Sequence, residues 1–343
     1  MRHLLNTLFV TSEDVYLSLD GENVVASRDR QALARYPLHT LSGIISFAYP
    51  GASPALMGAC AQRDIALSFC TPRGKFLART TGMSSGNVLL RRTQYRVADD
   101  PAASCRIARN MIFAKLYNAR WSAERTRRDH GMRIDEAAFR SACQTLQGLL
   151  AQALQERQLE SLRGLEGVGA TAYFGVFDQM ILRNKADFFF HGRNRRPPLD
   201  NVNALLSFAY GLLSHECAAG LESVGLDAYV GFLHRDRPGR ASLALDLMEE
   251  LRPCFADRFV LTLINNRVVD ARDFVRSEGG AVCLTEAARK KFLKSWQERK
   301  QETIVHPYLE EKVPWGLVPY IQALLLSRHL REDLDEYPPF LWK

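Results

Sequence analysis

The stretch ASCRIARNMIFAKLYNARWSAERTRR, at residues 103–128, decides the fold class because its apolar residues recur at the three- and four-residue spacing of an α-helix. Segments with the same spacing lie at 87–96, 135–154 and 202–213, and a basic helix is predicted at 289–300. Pro101 and Gly131 mark breaks between helices. The larger part of the chain is therefore predicted to be helical.

The first 80 residues have a different pattern, with short runs of apolar and β-branched residues that are typical of strands. Asp20-Gly21 predicts a tight turn between two of these strands. Ser53-Pro54 predicts the start of a helix, with serine as the cap and proline in the first turn. The predicted strands are 4–11, 15–19, 23–27, 43–47, 65–70 and 76–80, and the helix is 55–63.

These patterns together predict an α+β fold, in which a small amino-terminal β domain at 1–82 is followed by a larger all-helical catalytic domain at 87–343. A length of 343 residues agrees with about two domains. No run approaches the roughly 20 apolar residues of a membrane span. The first residues soon turn polar, unlike those of a signal peptide. We therefore expect a cytoplasmic protein with no membrane partner. The seven scattered cysteines predict reduced, mostly buried thiols.

Positive charge is concentrated in one region of the chain. The net charge is +7, yet residues 73–140 contain 15 lysines and arginines against 6 acidic residues. A second basic segment, Arg193-Asn194-Arg195-Arg196, precedes two prolines. Such a concentration favours binding to a polyanion, although a solvated basic helix surface explains the charge equally simply.

Four side chains in the second half of the sequence are candidates for chemistry. Glu166 is surrounded by glycines, His234 follows Gly231-Phe232-Leu233, and Asp246 and Glu249 lie three residues apart on a predicted helix. Two carboxylates and an imidazole suit Mg²⁺ or Mn²⁺, although zinc-dependent hydrolysis of another ester stays open. Each residue also has a structural explanation: a glutamate in the first turn of a helix, a histidine with a satisfied structural role, and an acidic surface patch paired with Arg240 or Arg252.

Several blocks of sequence resemble the CRISPR-associated integrase family Cas1, and they occur in that family's order. The blocks are Glu166-Gly167-Val168-Gly169-Ala170, Arg196-Pro197-Pro198-Leu199-Asp200-Asn201, Gly225-Leu226-Asp227, Gly231-Phe232-Leu233-His234 and Asp246-Leu247-Met248-Glu249-Glu250. Near the amino terminus, Leu5-Asn6-Thr7-Leu8, Leu17-Ser18-Leu19-Asp20-Gly21-Glu22 and Gly51-Ala52-Ser53-Pro54 resemble the subtype I-C branch. The resemblance thus extends over nearly the whole chain.

The resemblance implies a β domain that forms a homodimer and a helical domain that holds the metal through Glu166, His234 and Glu249. It also implies that Asp246 supports the site as a further catalytic residue, and it favours Glu249 over Glu250 as the last ligand. Many members of the family have aspartate at the position of Glu249. Glutamate would keep the negative charge on a longer side chain.

The implied reaction is transesterification, in which the 3′-hydroxyl of a captured double-stranded DNA fragment attacks CRISPR repeat DNA. The implied assembly consists of two dimers bridged by a dimer of the small partner Cas2, with the two basic segments as phosphate contacts. Two other hypotheses remain: a metal-dependent DNA nuclease without an integrase role, and a non-catalytic nucleic-acid-binding scaffold.

Overall fold

The computed structural model describes residues 6–63, 65–71, 76–80, 82 and 88–343. The junction between the two predicted domains, at 83–86, lies outside these residues. The chain forms two compact units: the first contains Met1–Ser85, Leu284–Glu302 and Pro314–Leu317, and the second contains Gly86–Cys283, Thr303–Val313 and Val318–Lys343. Two segments that the sequence analysis placed in the helical domain therefore belong to the first unit.

The first unit contains two sheets. In one sheet, β1 (Asn6–Val10) runs parallel to β5 (Leu41–Ser46), which runs parallel to β6 (Ala66–Cys70), and β7 (Phe76–Arg79) completes the edge in antiparallel orientation. The other sheet is an antiparallel meander of β2 (Tyr16–Asp20), β3 (Asn23–Arg28) and β4 (Gln31–Pro37). Leu17, Val24, Ile44, Leu56 and Leu67 are fully buried in the shared core.

The predicted turn and helix start in this unit are confirmed. Asp20 pairs with Asn23 across the turn, where Gly21 has a φ of 58°. Helix α1 (Pro54–Gln62) begins after Ser53, whose hydroxyl accepts a hydrogen bond from the amide of Leu56 at 3.2 Å.

Helix α9 (Glu286–Gln301) belongs to the first unit and packs against β1. The ammonium of Lys300 donates a hydrogen bond to the hydroxyl of Thr7 at 3.2 Å, and Trp296 and Phe292 are fully buried. A helix that is distant in sequence thus completes the amino-terminal unit.

The second unit is built around the 30-residue helix α3 (Pro101–His130), which packs against α4 (Glu136–Gln155), α5 (Leu159–Phe177) and α7 (Ser242–Leu251). Asp100 caps α3 and Asp135 caps α4. The other helices are α2 (Val88–Asp99), α6 (Asn201–Ser223), α8 (Arg258–Asn265) and α10 (Val318–Leu330), and a π-helical segment, Arg252–Asp257, joins α7 to α8.

The predicted fold class, a β-rich amino-terminal region followed by a mostly helical part, is confirmed. The helical part is not wholly helical, because two short strand pairs interrupt it. These are β8 (Phe274–Arg276) with β9 (Val282–Leu284), and β10 (Thr303–Val305) with β11 (Lys312–Pro314). Among the described residues, no helix is long and apolar enough to cross a membrane.

Candidate metal centre

Three chain segments bring the predicted site residues together in the second unit. Glu166 lies on α5, His234 in the loop between α6 and α7, and Glu249 on α7. Nε2 of His234 lies 3.9 Å from Oε1 of Glu249. Glu166 and Glu249 both form ion pairs with the ammonium of Lys115, which comes from α3. The side chains thus converge although 83 positions separate the first from the last.

Glu166 lies in the interior of α5, seven residues after the helix begins at Leu159. The alternative that it caps a helix start is therefore wrong. Glycines near it allow α5 to approach α3 closely: a Cβ atom on Gly169 would lie 2.2 Å from Cδ2 of Leu116. This close packing places Glu166 next to Lys115.

Asp246 organises the loop that carries His234. It is completely buried, and its Oδ2 accepts hydrogen bonds from the backbone amides of Phe232 at 2.7 Å and Leu233 at 2.9 Å. Its Oδ1 accepts from the amide of His234 at 3.0 Å and lies 2.5 Å from Nδ1 of the same residue. Because a carboxylate oxygen accepts hydrogen bonds, this contact places the imidazole proton on Nδ1 and leaves Nε2 facing Glu249.

Two further contacts fix the same loop. Gly231 lies so close to α7 that a Cβ atom would meet Oδ2 of Asp246 at 2.8 Å and the carbonyl carbon of Ser242 at 2.9 Å. The guanidinium of Arg163, on α5, donates to the backbone carbonyl of Leu233, with Nε at 2.9 Å. The position of His234 is therefore set by buried contacts on both sides.

Glu249 is surrounded by positive charge. Its side chain is 4% exposed, its Oε1 pairs with Arg252 at 3.1 Å, and its Oε2 lies 2.6 Å from the ammonium of Lys115. Burial alone would raise its pKa, but the charges of Arg252 and Lys115 outweigh burial and lower the pKa to about 2. The carboxylate is therefore ionised at neutral pH. The alternative of a solvated acidic surface patch is wrong, although the predicted pairing with Arg252 is present.

Glu250, the neighbouring acid, faces a different part of the molecule. Its carboxyl group accepts hydrogen bonds from the hydroxyl of Tyr337 at 2.5 Å, the side chain of Gln322 at 3.0 Å and the amide of Phe340 at 2.7 Å. Burial raises its pKa to about 8, although these hydrogen bonds lower it. Glu250 thus anchors the carboxy-terminal segment, and Glu249 faces the site.

The raised pKa of Glu250 predicts a pH-dependent stability. Between the unfolded pKa of 4.5 and the folded pKa of about 8, the folded state binds the extra proton, so the free energy of unfolding falls as pH rises. From about pH 6 to about pH 8 this contribution is on the order of 2 kcal/mol. Urea denaturation of the wild type and Glu250→Gln at both pH values measures it, and the fall should be smaller in the variant. An equal fall in both proteins would contradict this assignment.

Behind the site lies a buried network that the sequence analysis did not identify. Arg252 and Arg193 both lie over the ring of Tyr210, at 5.0 and 5.2 Å from its centroid. The Tyr210 hydroxyl donates to Asp257 at 2.5 Å, and burial is the main cause that raises the pKa of Asp257 to about 6. Arg252 therefore links this network to Glu249.

Several arginines of the two basic segments already contact other groups of the protein. Many of the arginines on α3 and α4 are already paired with carboxylates, including Arg120, Arg125, Arg127, Arg128 and Arg140. Arg193 is also engaged within the fold, since it donates to Asn203 at 2.6 Å and Ser207 at 3.1 Å. For these residues a structural role explains the charge.

Four arginines on two loops remain available for an anion. In the described part of the chain, no carboxylate lies within ion-pair distance of Arg195, Arg196, Arg237 or Arg240. Burial first, and then the charges of Arg237, Arg195 and Arg196, lower the pKa of Arg240 despite the opposing charge of Asp246. The two loops therefore present a shared cluster of positive charge.

The donor set fits a hard divalent cation. Two carboxylates and an imidazole whose Nδ1 is held by a buried carboxylate form a ligand pattern that Mg²⁺ or Mn²⁺ can use. Oε2 of Glu249 is buried and receives no hydrogen bond, and the ammonium of Lys115 is the charge beside it. Over the residues that the structure covers, no three acid, histidine or cysteine side chains are arranged to hold a metal ion as they stand. The ammonium of Lys115 lies between the two carboxylates instead.

Comparisons with known proteins match this chain to one family. The family model described as CRISPR associated protein Cas1 matches residues 8–298. A relative from Rhodospirillum rubrum, named CRISPR-associated endonuclease Cas1 2, is 50% identical over the whole length of both chains.

Solved structures share the fold. A casposase bound to integration product has a TM-score of 0.82 and 22% identity, covering 98% of this chain and 94% of that one. A chain in a Cas6-RT-Cas1–Cas2 complex matches with a TM-score of 0.80 and 21% identity. The match covers 100% of the present chain and 36% of the chain in that complex.

Proposed function

Since the chain belongs to the Cas1 family of CRISPR-associated proteins, we propose that it is a metal-dependent DNA endonuclease and integrase that inserts captured DNA fragments into a CRISPR array. The observation that carries the proposal is the convergence of Glu166, His234 and Glu249 from three separate segments. The name endonuclease, borne by the relative from Rhodospirillum rubrum, supports the same activity.

In this proposal Glu166, His234 and Glu249 hold Mg²⁺ or Mn²⁺, and Asp246 acts on the reaction by orienting His234. When bound, the metal supplies positive charge that polarises the phosphodiester and stabilises the charge that develops on its oxygens. Glu249 stays ionised for this purpose because Arg252 lowers its pKa and remains in place behind it. Asp246 accepts a hydrogen bond from the protonated Nδ1 of His234, which leaves Nε2 of the imidazole free.

The reaction is a transesterification. The 3′-hydroxyl oxygen of a DNA fragment loses its proton and forms a new bond to phosphorus at the border of a repeat, while the bond from phosphorus to the existing 3′ oxygen breaks and that oxygen takes up a proton to become a new 3′-hydroxyl. No covalent bond to the protein is needed, so the side chains contribute positioning and charge stabilisation. If water takes the place of the hydroxyl, the same site cleaves DNA.

The four unpaired arginines on the two loops suit the phosphate backbone, because a guanidinium can bind a phosphate through two hydrogen bonds. The proposed partners are double-stranded DNA fragments, CRISPR repeat DNA, a second copy of the chain and the small protein Cas2. The presence of Cas2 in the Cas6-RT-Cas1–Cas2 complex supports the pairing with Cas2. Membership of the subtype I-C branch and a cytoplasmic location are parts of the same proposal.

An integration assay tests the function. Purified protein is mixed with Cas2, a labelled DNA fragment and a supercoiled plasmid that contains a leader and one repeat. We expect label to enter at the repeat border when Mg²⁺ or Mn²⁺ is present and to stay unincorporated when EDTA is added. Cleavage of DNA without border-specific incorporation would favour the plain nuclease, and binding without any metal-dependent reaction would favour the scaffold.

A further inference from the structure

We propose that Lys115 is a tethered cation that holds Glu166 and Glu249 together in the metal-free protein and leaves them when a divalent metal binds. The inference rests on the proposed function in that it takes a metal to be the ligand of these carboxylates. Nζ of Lys115 contacts Oε1 of Glu166 and lies 2.6 Å from Oε2 of Glu249. The Lys115 side chain is 11% exposed, between the buried residues Ala114 and Leu116 on α3.

Charge explains why an ammonium occupies this position. Glu166 and Glu249 come from different helices, and two carboxylates brought to one point repel each other unless a cation lies between them. Arg252 contacts Glu249 through Oε1, and among the described contacts Lys115 is the cation that joins both acids. Removal of the lysine charge should therefore destabilise the metal-free protein.

The ammonium and a divalent metal exclude each other. A magnesium ligand oxygen lies at about 2.0–2.1 Å from the ion, and the oxygens concerned are those that Lys115 already contacts. Two cations cannot share them at contact distance because like charges repel strongly in a partly buried site. Metal binding thus requires the lysine to withdraw.

The two basic neighbours of Glu249 differ in their freedom to move. Arg252 lies over the ring of Tyr210 at 5.0 Å from its centroid and pairs with Glu249 at 3.1 Å. A lysine is a point charge on a flexible four-carbon stem, so its ammonium can swing away without moving the backbone of α3. Arg252 therefore stays with Glu249 during the exchange, and Lys115 is the residue that yields.

Lys115→Met tests the inference because methionine keeps an unbranched stem and removes the charge. Manganese binding is measured by electron paramagnetic resonance of free Mn²⁺, and thermal unfolding is followed with and without Mn²⁺. We expect the variant to unfold at a lower temperature without metal and to bind Mn²⁺ about tenfold more tightly or better, because a competing unit charge is gone. The rise in Tm on adding metal should therefore be larger than in the wild type.

Arg120→Met is the matched control, since Arg120 lies on the same helix and pairs with Glu124 at 3.9 Å. Its manganese affinity should equal that of the wild type. If Lys115→Met binds Mn²⁺ no more tightly than the wild type does, the lysine is not a competitor and the inference fails while the proposed function stands. Absence of Mn²⁺ binding by both proteins would overturn the inference and the metal site together.

A second variant keeps the test decisive if Lys115→Met alone does not fold. In a Glu166→Gln background the carboxylate pair is absent, so the added Lys115→Met substitution should lower the metal-free Tm much less than it does in the presence of Glu166. If the double variant folds where Lys115→Met alone does not, charge neutralisation is the role of Lys115. Equal losses of Tm in both backgrounds would show a packing role and reject the inference.

Discussion

The His234→Ala variant is expected to bind DNA with near-normal affinity and to lose more than about a hundredfold of its metal-dependent cleavage and integration rate. The imidazole is held by Asp246 with its Nε2 turned toward Glu249, 3.9 Å from Oε1. Alanine removes one proposed metal ligand and leaves the four arginines on the neighbouring loops in place. Single-turnover rates with saturating protein, together with DNA affinity from fluorescence anisotropy, separate the two effects.

His39→Ala provides the control for this experiment, because His39 is exposed in the amino-terminal unit. Its rates should match those of the wild type. A cleavage rate of His234→Ala equal to that of the wild type would contradict the proposed mechanism and leave the scaffold hypothesis. A loss of DNA affinity that equals the loss of rate would instead place His234 in DNA binding.

The second large effect is expected for Gly231→Ala. The added methyl group would lie 2.8 Å from Oδ2 of Asp246 and 2.9 Å from backbone of Ser242, so the loop or the helix must shift. Such a shift breaks the amide hydrogen bonds that Asp246 accepts and displaces His234. We expect a destabilisation of about 2–3 kcal/mol and a rate loss of about a hundredfold.

Gly175→Ala is the matched comparison, since it lies on the exposed side of α5 and a Cβ atom there meets no other atom within 4 Å. Alanine in a helix interior is favoured over glycine by roughly 0.5–1 kcal/mol, so this variant should be slightly stabilised. Urea denaturation and single-turnover cleavage check both variants. If Gly231→Ala keeps wild-type stability and rate, the loop is more tolerant than its contacts indicate.

Much of the fold follows from local signals in the sequence. The Asp20-Gly21 turn, the Ser53-Pro54 helix start and the long helix α3 were each predicted from a pattern with a direct physical cause, and each is present. Several elements were not predicted, and two of them show the physical reason. The strand Gln31–Pro37 is almost entirely exposed, and Asp29 and Arg30 form its turn at positive φ without a glycine. Helix α5 contains four glycines, which lower helix propensity, and its packing against α3 stabilises it instead.

The site was only partly predictable because it, too, depends on packing between helices that are distant in sequence. Candidate ligands can be nominated from residue type and spacing, but their partners depend on which helices meet. Lys115 could have been noticed as a single charge within the apolar run from Met111 to Leu116. Nothing in the sequence pattern relates it to Glu166 or Glu249, because those contacts are made by packing of α3 against α5 and α7.

The anchoring of the carboxy-terminal segment has a practical consequence for protein engineering. Glu250 binds Tyr337 and Phe340, and Asn118 on α3 holds the carbonyl of Phe340 and the amide of Trp342. Residues 337–342 thus hold α7 through Glu250, which is next to Glu249 in the sequence. A sequence inserted into residues 337–342 would disturb these contacts and, through them, α7, so engineered insertions should avoid this segment.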